Sequence, residues 1–136
     1  MTVTVEAVLA AARATIGTPF AHQGRVLGRA LDCAGVAAYV ATQLGVEFNE
    51  WPGYNRQPHD GLLESVMDSQ PCLMVVYNQQ PGDILLMRFT GDPQHVAITT
   101  GETMIHAYEA VGRVVEHRID AVWQARIVKT YRFKGL

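Results

Sequence analysis

Hydrophobic residues recur at helical spacing in the N-terminal third of the chain. Residues 4–15 are rich in Ala and other good helix formers. Residues 33–45 place their apolar side chains at i, i+3, i+4, i+7 and i+11, which is one face of a helix. Asp32 stands where an N-cap is expected, and Gly45 where a helix commonly ends. Two helices are predicted, with an irregular stretch over residues 18–31 between them.

Short apolar runs separated by turn residues follow in the second half of the chain. A loop that carries aromatic residues is predicted over residues 48–61, at a surface that touches another molecule. A short helix is predicted at Leu62–Met67. Six strands are predicted after it: Leu73–Tyr77, Asp83–Phe89, His95–Thr100, Met104–Tyr108, Arg113–His117 and Ile127–Phe133. Helices followed by strands with short connections predict an α+β fold with an antiparallel sheet.

Composition narrows the class of protein. The chain has 136 residues without internal repeats, so a single domain over residues 1–136 is predicted. A net charge of −2 and the lack of a basic run argue against nucleic acid or an anionic membrane as partner. No apolar stretch is long enough to span a bilayer. The N-terminus lacks the features of a signal peptide, so synthesis in the cytoplasm without secretion is expected.

Cys33 is the most informative residue in the sequence. It begins the second predicted helix, where free backbone N–H groups and the helix dipole favour a thiolate and offer an oxyanion site. The alternative is a small core residue on the apolar face. Cys72 lies between Pro71 and an apolar run and is predicted to be structural, and no disulfide between the two cysteines is expected.

His95 and His106 are the candidate partners of a cysteine nucleophile. If Gly101 and Glu102 form a two-residue hairpin loop, facing positions sum to 203 and Ala97 faces His106. His95 and His106 are then diagonal neighbours on one face, roughly 7–8 Å apart between backbones. A three-residue loop would send them to opposite faces, and two unrelated histidines remain the alternative.

The remaining histidines give no sign of a cofactor site. His59 and His117 are predicted at the surface. No histidine or cysteine spacing matches a metal-ligand motif, and phosphate-binding or dinucleotide-binding loops are lacking. Neither a metal nor an organic cofactor is expected.

Four segments together resemble a known family. They are Gly17-Thr18-Pro19-Phe20, Asp32-Cys33-Ala34-Gly35-Val36, Pro81-Gly82-Asp83-Ile84-Leu85 and His95-Val96-Ala97-Ile98. In order and spacing they resemble the NlpC superfamily of cell-wall cysteine peptidases, over about residues 5–133. Residues 20–25 resemble its phage-borne, tail-associated branch. The resemblance implies a papain-like α+β fold in which a helix bearing the nucleophile packs on an antiparallel sheet.

The resemblance also implies a catalytic triad of Cys33, His95 and His106. Members of the family hydrolyse amide bonds in the peptide stems of peptidoglycan, often between D-glutamate and a diamino acid. The chain departs from the common pattern at two positions. Many relatives have Tyr where Phe20 stands and Ser where Ala34 stands, so two polar groups near the nucleophile are replaced here.

Two further residues are candidates for substrate binding. His22 is expected to line the cleft or to stack on its own loop, and Asp32 to hold a substrate amine or to cap the helix. The expected partners are a peptidoglycan peptide and other phage tail proteins, with delivery to the cell wall as part of a tail. The alternatives are a tail or assembly component that uses the fold structurally, and a thiol amidase or acyltransferase acting on another small amide.

Overall fold

A sheet with helices on both of its faces forms the core of the computed structural model, which describes residues 3–50 and 61–136. The helices are α1 (Val5–Ala14), α2 (Cys33–Leu44), α3 (Leu62–Asp68) and α4 (Ala121–Arg126). The strands are β1 (Arg25–Val26), β2 (Ala30–Leu31), β3 (Leu73–Val76), β4 (Ile84–Met87), β5 (His95–Thr99), β6 (Thr103–Tyr108), β7 (Arg113–Arg118) and β8 (Ile127–Phe133). The predicted α+β class is confirmed. Most of the predicted aromatic loop, residues 51–60, lies outside the described residues.

The main sheet is antiparallel throughout, in the order β3-β8-β4-β5-β6-β7. Strands β5 and β6 pair Ile98 with Ile105 and Thr99 with Met104. Both pairs sum to 203, which is the register predicted from a two-residue loop. The turn chemistry of the sequence therefore predicted the pairing that decides which side chains share a face.

Helix α2 begins and ends where the sequence indicates. The carboxylate of Asp32 accepts a hydrogen bond of 2.8 Å from the backbone N–H of Gly35. Gly45 ends the helix in the left-handed conformation, with φ of 71°, which glycine adopts without strain. These caps fix the position of the first turn of α2, and with it the position of Cys33.

The two faces of the sheet are covered differently. Helices α1 and α2 pack on one face, and their apolar residues share a cluster with residues of four central strands, among them Val96 and Ile105. On the other face a smaller cluster formed by Leu85, Met87, Ala97 and Met104 packs against Ile119, Trp123 and Ile127. Of the helices in the described part of the chain, none is both long and apolar enough to cross a membrane.

Two elements were not predicted. Strands β1 and β2 form a small hairpin within the stretch expected to be irregular, and α4 lies between two predicted strands. The hairpin lies so close to α2 that a Cβ atom on Gly35 would collide with the carbonyl oxygen of Gly24. Strands of two residues are too short to produce a periodic pattern, and α4 buries none of its residues fully and so shows no apolar face in the sequence.

A buried ion pair ties the Pro81-Gly82-Asp83 turn to the sheet. The carboxylate of Asp83 is fully buried and accepts hydrogen bonds of 2.8 and 2.9 Å from the guanidinium of Arg132 on β8. It also accepts one of 2.8 Å from the backbone N–H of Gln80. These contacts give the turn a structural role, since they hold it against β8.

Replacing Asp83 by Ala should destabilise the protein strongly. The change removes the carboxylate from the mostly buried Arg132, whose guanidinium keeps, among the described residues, a hydrogen bond only to the carbonyl oxygen of Asn78, and loss of one partner of a buried ion pair costs about 3–5 kcal/mol. The free energy of unfolding, measured with denaturant, checks this value. Arg13→Ala, which removes a solvent-exposed ion pair with Glu116, is the control and should have a much smaller effect. Equal effects of the two changes would contradict the prediction.

Candidate active site

Cys33 is the first residue of α2, and its side chain is half-buried. Its thiol receives hydrogen bonds from the backbone N–H groups of Val96 and Ala34. Val96 directly follows His95 on β5. The structure therefore brings the candidate nucleophile against the strand that carries the candidate base.

The electrostatic surroundings of Cys33 differ from the expectation. Burial raises the pKa of the Cys33 thiol to about 12, and the negative charge of Asp32 adds to this increase. The two backbone hydrogen bonds and the charge of Arg25 oppose it only in part. The prediction that the helix start favours a thiolate is wrong for the resting protein, because the sulfur is buried and because the capping carboxylate lies beside it. Cys33 is a neutral thiol until a base removes its proton.

A backbone donor next to the thiol remains for a substrate. The capping carboxylate engages the N–H of Gly35, and the N–H of Ala34 points to the thiol. Within residues 3–50 and 61–136, the backbone N–H of Cys33 donates none of the backbone hydrogen bonds of turns, loops and caps, and as the first residue of α2 it has no acceptor within the helix. A carbonyl oxygen attacked by the sulfur can therefore accept a hydrogen bond from this group.

His95 and His106 lie on the same face of adjacent strands, as predicted. Nε2 of His95 is 2.6 Å from Nδ1 of His106. The side chains are buried, with 5% and 0% of their surface exposed. Burial lowers the pKa of His95 to about 4, helped by the charge of Arg126, and burial lowers that of His106 to about 2. Both rings are therefore neutral near pH 7, and Nδ1 is the one ring nitrogen of His95 left for another partner.

Aromatic side chains enclose this pair. The ring of Tyr108 stacks on His106 at 5.1 Å, and Trp123 of α4 meets His106 edge-on at 5.2 Å. Phe89 lies 5.3 Å from His95. The sequence did not single out these residues. Trp123 in particular belongs to the unpredicted helix, although Asp120 is an N-cap signal that would have placed it.

His117 extends the pair to a third ring. Its Nε2 is 2.8 Å from Nε2 of His106, and its Nδ1 is 2.9 Å from the carbonyl oxygen of Arg118. The prediction that His117 lies at the surface is therefore wrong, because the side chain is half-buried and hydrogen-bonded. His106 faces Val115, so His117 is its diagonal neighbour. Pairing the predicted ends of β6 and β7 across their turn would have shown this relation.

The two predicted substrate contacts lie beside the start of α2. Asp32 is buried and accepts hydrogen bonds from Gly35, from Arg25 at 2.7 Å and from the backbone of Gln23 at 2.9 Å. This set of donors favours its capping role over capture of a substrate amine. His22 is half-buried on the adjoining loop. A role for His22 in substrate binding stays a prediction.

The two departures from the family pattern are placed next to this region. Phe20 is half-buried against the main core cluster, and Ala34 is buried in the first turn of α2. Cys72 lies in the same core and is a free cysteine, like Cys33. These surroundings are in keeping with the structural role predicted for Cys72.

Arg126 brings a positive charge to the site. Its guanidinium lies over the ring of Trp123 at 4.4 Å and over Phe89 at 5.0 Å. It is near enough to His95 to lower the pKa of that ring. Among the described residues no carboxylate pairs with it. The side chain is therefore placed to meet a negatively charged ligand.

The described residues contain no group of three or more His, Cys, Asp or Glu side chains arranged to hold a metal ion. The three histidines lie in a row and their ring nitrogens hydrogen-bond to one another, whereas the ligands of a metal ion converge on one point.

The arrangement of Cys33 and His95 is that of a thiol with a buried, hydrogen-bonded imidazole. Such a pair can deprotonate the sulfur and carry out nucleophilic attack on a carbonyl group.

Comparison with known families found a match over most of the chain. The model of the NlpC/P60 family covers residues 17–132. Comparison with curated proteins found no match.

Solved structures with the same fold include three that come from NlpC/P60 proteins or peptidoglycan hydrolases. The NlpC/p60 domain of the peptidoglycan hydrolase SagA has 26% identity and a TM-score of 0.67, covering 94% of this chain and 97% of that chain. An NlpC/P60 family protein from Bacillus cereus has 18% identity and a TM-score of 0.74, covering 98% of this chain. The peptidoglycan hydrolase RipB from Mycobacterium tuberculosis has 19% identity and a TM-score of 0.65, covering 97% of this chain. The chain spans 41% of the Bacillus protein and 64% of RipB.

Proposed function

The chain belongs to the NlpC/P60 family, and we propose that it is a cysteine endopeptidase that hydrolyses amide bonds in the peptide stems of bacterial peptidoglycan. One observation carries this proposal. The thiol of Cys33, at the first turn of α2, is hydrogen-bonded to β5 next to the buried pair of His95 and His106. The similarity to the SagA domain, a peptidoglycan hydrolase, supports the substrate class.

The proposed reaction proceeds in two steps. Nδ1 of His95 takes the proton of the Cys33 thiol, and the sulfur attacks the amide carbonyl while the N–H of Cys33 stabilises the oxyanion. The protonated His95 then gives its proton to the leaving amine, and a thioester remains on Cys33. Water activated by His95 hydrolyses this thioester and restores the thiol. His106 holds the ring of His95 in position throughout.

A carboxylate-bearing peptide suits the charge of this site. Arg126 lies beside His95 and has no carboxylate partner in the described part of the chain. Stem peptides offer carboxylates on both sides of the bond between D-glutamate and a diamino acid. We therefore place the cleaved bond in this class, with Arg126 binding a substrate carboxylate.

Association with a phage tail remains a proposal that rests on the sequence of residues 20–25. Delivery as part of a tail would bring the enzyme to the cell wall. A purely structural tail module is disfavoured by the buried histidine pair, since an assembly role does not require a thiol beside a hydrogen-bonded imidazole.

Incubation with purified peptidoglycan, followed by mass analysis of the soluble fragments, tests the proposed function. We expect new amino and carboxyl ends at a stem-peptide bond. The His106→Ala protein serves as the weakened control. Folded wild-type protein that releases nothing from several wall preparations would favour the structural alternative, whereas turnover of small amides alone would favour the amidase alternative.

The acid limb of activity should lie near pH 4. Only neutral His95 can accept the thiol proton, and its pKa is lowered to about 4 by burial and by Arg126. Activity should therefore persist as the pH falls below the usual imidazole range and be lost near the lowered value. The measurement is kcat/KM on a soluble stem peptide at pH values that span both ranges. An acid limb near the ordinary imidazole pKa would contradict the lowered pKa of His95.

Unfolding must be separated from this titration. A histidine whose pKa is lowered by folding takes up its proton more readily in the unfolded chain. Stability is therefore full above the unfolded pKa and decreases as the pH falls towards the folded value. Thermal unfolding at each pH identifies the range in which the folded protein is being assayed.

A further inference from the structure

Three imidazole rings form one continuous chain across strands β5, β6 and β7. Nε2 of His95 meets Nδ1 of His106 at 2.6 Å, and Nε2 of His106 meets Nε2 of His117 at 2.8 Å. Nδ1 of His117 meets the carbonyl oxygen of Arg118 at 2.9 Å. Each ring is the diagonal neighbour of the next, so the chain crosses the sheet obliquely from the active site to the edge strand.

The carbonyl oxygen of Arg118, at the far end of this row of rings, fixes which nitrogen donates in each hydrogen bond. A carbonyl oxygen only accepts hydrogen bonds, so Nδ1 of His117 must carry a proton. In a neutral ring its Nε2 is then the acceptor, and Nε2 of His106 must donate to it. Nδ1 of His106 is then an acceptor, and Nε2 of His95 must donate. For three neutral rings this is the one arrangement of protons that satisfies all three contacts.

We propose that His117 is a positioning residue. Together with the carbonyl oxygen of Arg118, it sets the tautomers of all three imidazole rings and so keeps the lone pair of His95 on Nδ1. The inference rests on the proposed function for its consequence, since Nδ1 of His95 is the atom that takes the thiol proton. Without an acceptor at position 117, His106 can adopt either tautomer, and so can His95.

The surroundings hold the rings in this arrangement. Trp123 lies 5.2 Å from both His106 and His117, and Tyr108 stacks on the ring of His106. Burial keeps the pKa values of His95 and His106 low, so that both rings are neutral near pH 7. The neutral state is the one in which a tautomer can be selected.

Two substitutions at position 117 test the need for an acceptor, because His117→Gln keeps one in its amide oxygen whereas the ammonium group of His117→Lys has none. The side-chain oxygen of His117→Gln can accept from Nε2 of His106 and preserve the direction of the chain. The ammonium group of His117→Lys can only donate, so it reverses both hydrogen bonds and leaves a proton on Nδ1 of His95. Val122→Lys adds the same charge at an exposed position of α4, away from the rings, and is the matched control.

The tautomer of His95 is read from the nitrogen chemical shifts of protein labelled with 15N-histidine, near neutral pH and without substrate. We expect protonated Nε2 and unprotonated Nδ1 in the wild type, in His117→Gln and in Val122→Lys. We expect the opposite in His117→Lys, together with a decrease in kcat on the order of 10²-fold or more. The Gln variant should stay within about tenfold of the wild-type kcat.

Two results would overturn the proposal. One is a wild-type His95 with its proton on Nδ1, and the other is a His117→Lys protein with the wild-type tautomer and rate. If the Lys variant does not fold, the tautomers of the wild type and of His117→Gln still decide the question. Because the spectra need no substrate, a protein that cleaves no peptidoglycan but has the expected tautomers would contradict the proposed function and leave the hydrogen-bond chain intact.

Discussion

Cys33→Ser should fold like the wild type and lose hydrolysis by a factor on the order of 10⁴–10⁶. A serine hydroxyl is harder to deprotonate than a thiol, and the surroundings of Cys33 already raise the pKa of the sulfur to about 12. A base that removes the proton of the thiol does not activate the less acidic hydroxyl to a useful extent. The fold should be kept, because Ser is small and well accepted at the start of a helix. Fragment release and thermal unfolding measured on the same sample check both parts.

Cys72→Ser is the matched control for this change. Cys72 is a buried member of the main core cluster and lies outside the proposed chemistry. We expect this variant to lose stability, since a hydroxyl enters an apolar region, and to keep its rate when folded. A folded Cys72→Ser protein without activity, or an active Cys33→Ser protein, would remove Cys33 from the role of nucleophile.

His95→Ala should be as severe as loss of the thiol, again on the order of 10⁴–10⁶-fold in kcat. Nucleophile and base act as a unit, so removing the second after the first adds little. The double variant Cys33→Ser/His95→Ala should therefore be no slower than either single variant. Additive losses would show that the two side chains act in separate steps.

His106→Ala should be milder than His95→Ala by about 10- to 100-fold, since an orienting ring assists the base without replacing it. His22→Ala provides a second comparison with a half-buried histidine outside the chain of rings. If His22 contacts the substrate as predicted, its loss should raise KM more than it lowers kcat. Equal losses of kcat for all three histidines would point to a general effect on folding, which thermal unfolding would reveal.

The sequence predicted the parts of this site that depend on local pattern. Helical spacing and the caps located Cys33 at the start of α2, and the two-residue turn at Gly101 fixed the register that brings His95 and His106 together. Both signals act over a few residues, where the physics of capping and of hairpin loops is strong. The family resemblance then assigned the three residues their expected roles.

The parts that were missed depend on contacts between distant segments. Trp123 and Arg126 lie on α4, which buries none of its residues fully and so gives no periodic signal, and their position beside the histidines depends on the pairing of β8 with β4. His117 was placed at the surface because it ends a predicted strand. The pKa of Cys33 was expected to fall, since the helix dipole is visible in the sequence whereas burial is not.

The raised pKa of Cys33 has a consequence for the lifetime of the protein in oxidising surroundings. Peroxide and disulfides react with thiolates, and a thiol with a pKa of about 12 is ionised in roughly one molecule in 10⁵ at neutral pH. The resting enzyme therefore contains almost no thiolate that these oxidants could attack, and oxidation of Cys33 to sulfenic and sulfinic acid is slow. The same burial that raises the pKa of the thiol therefore slows chemical oxidation of the resting protein.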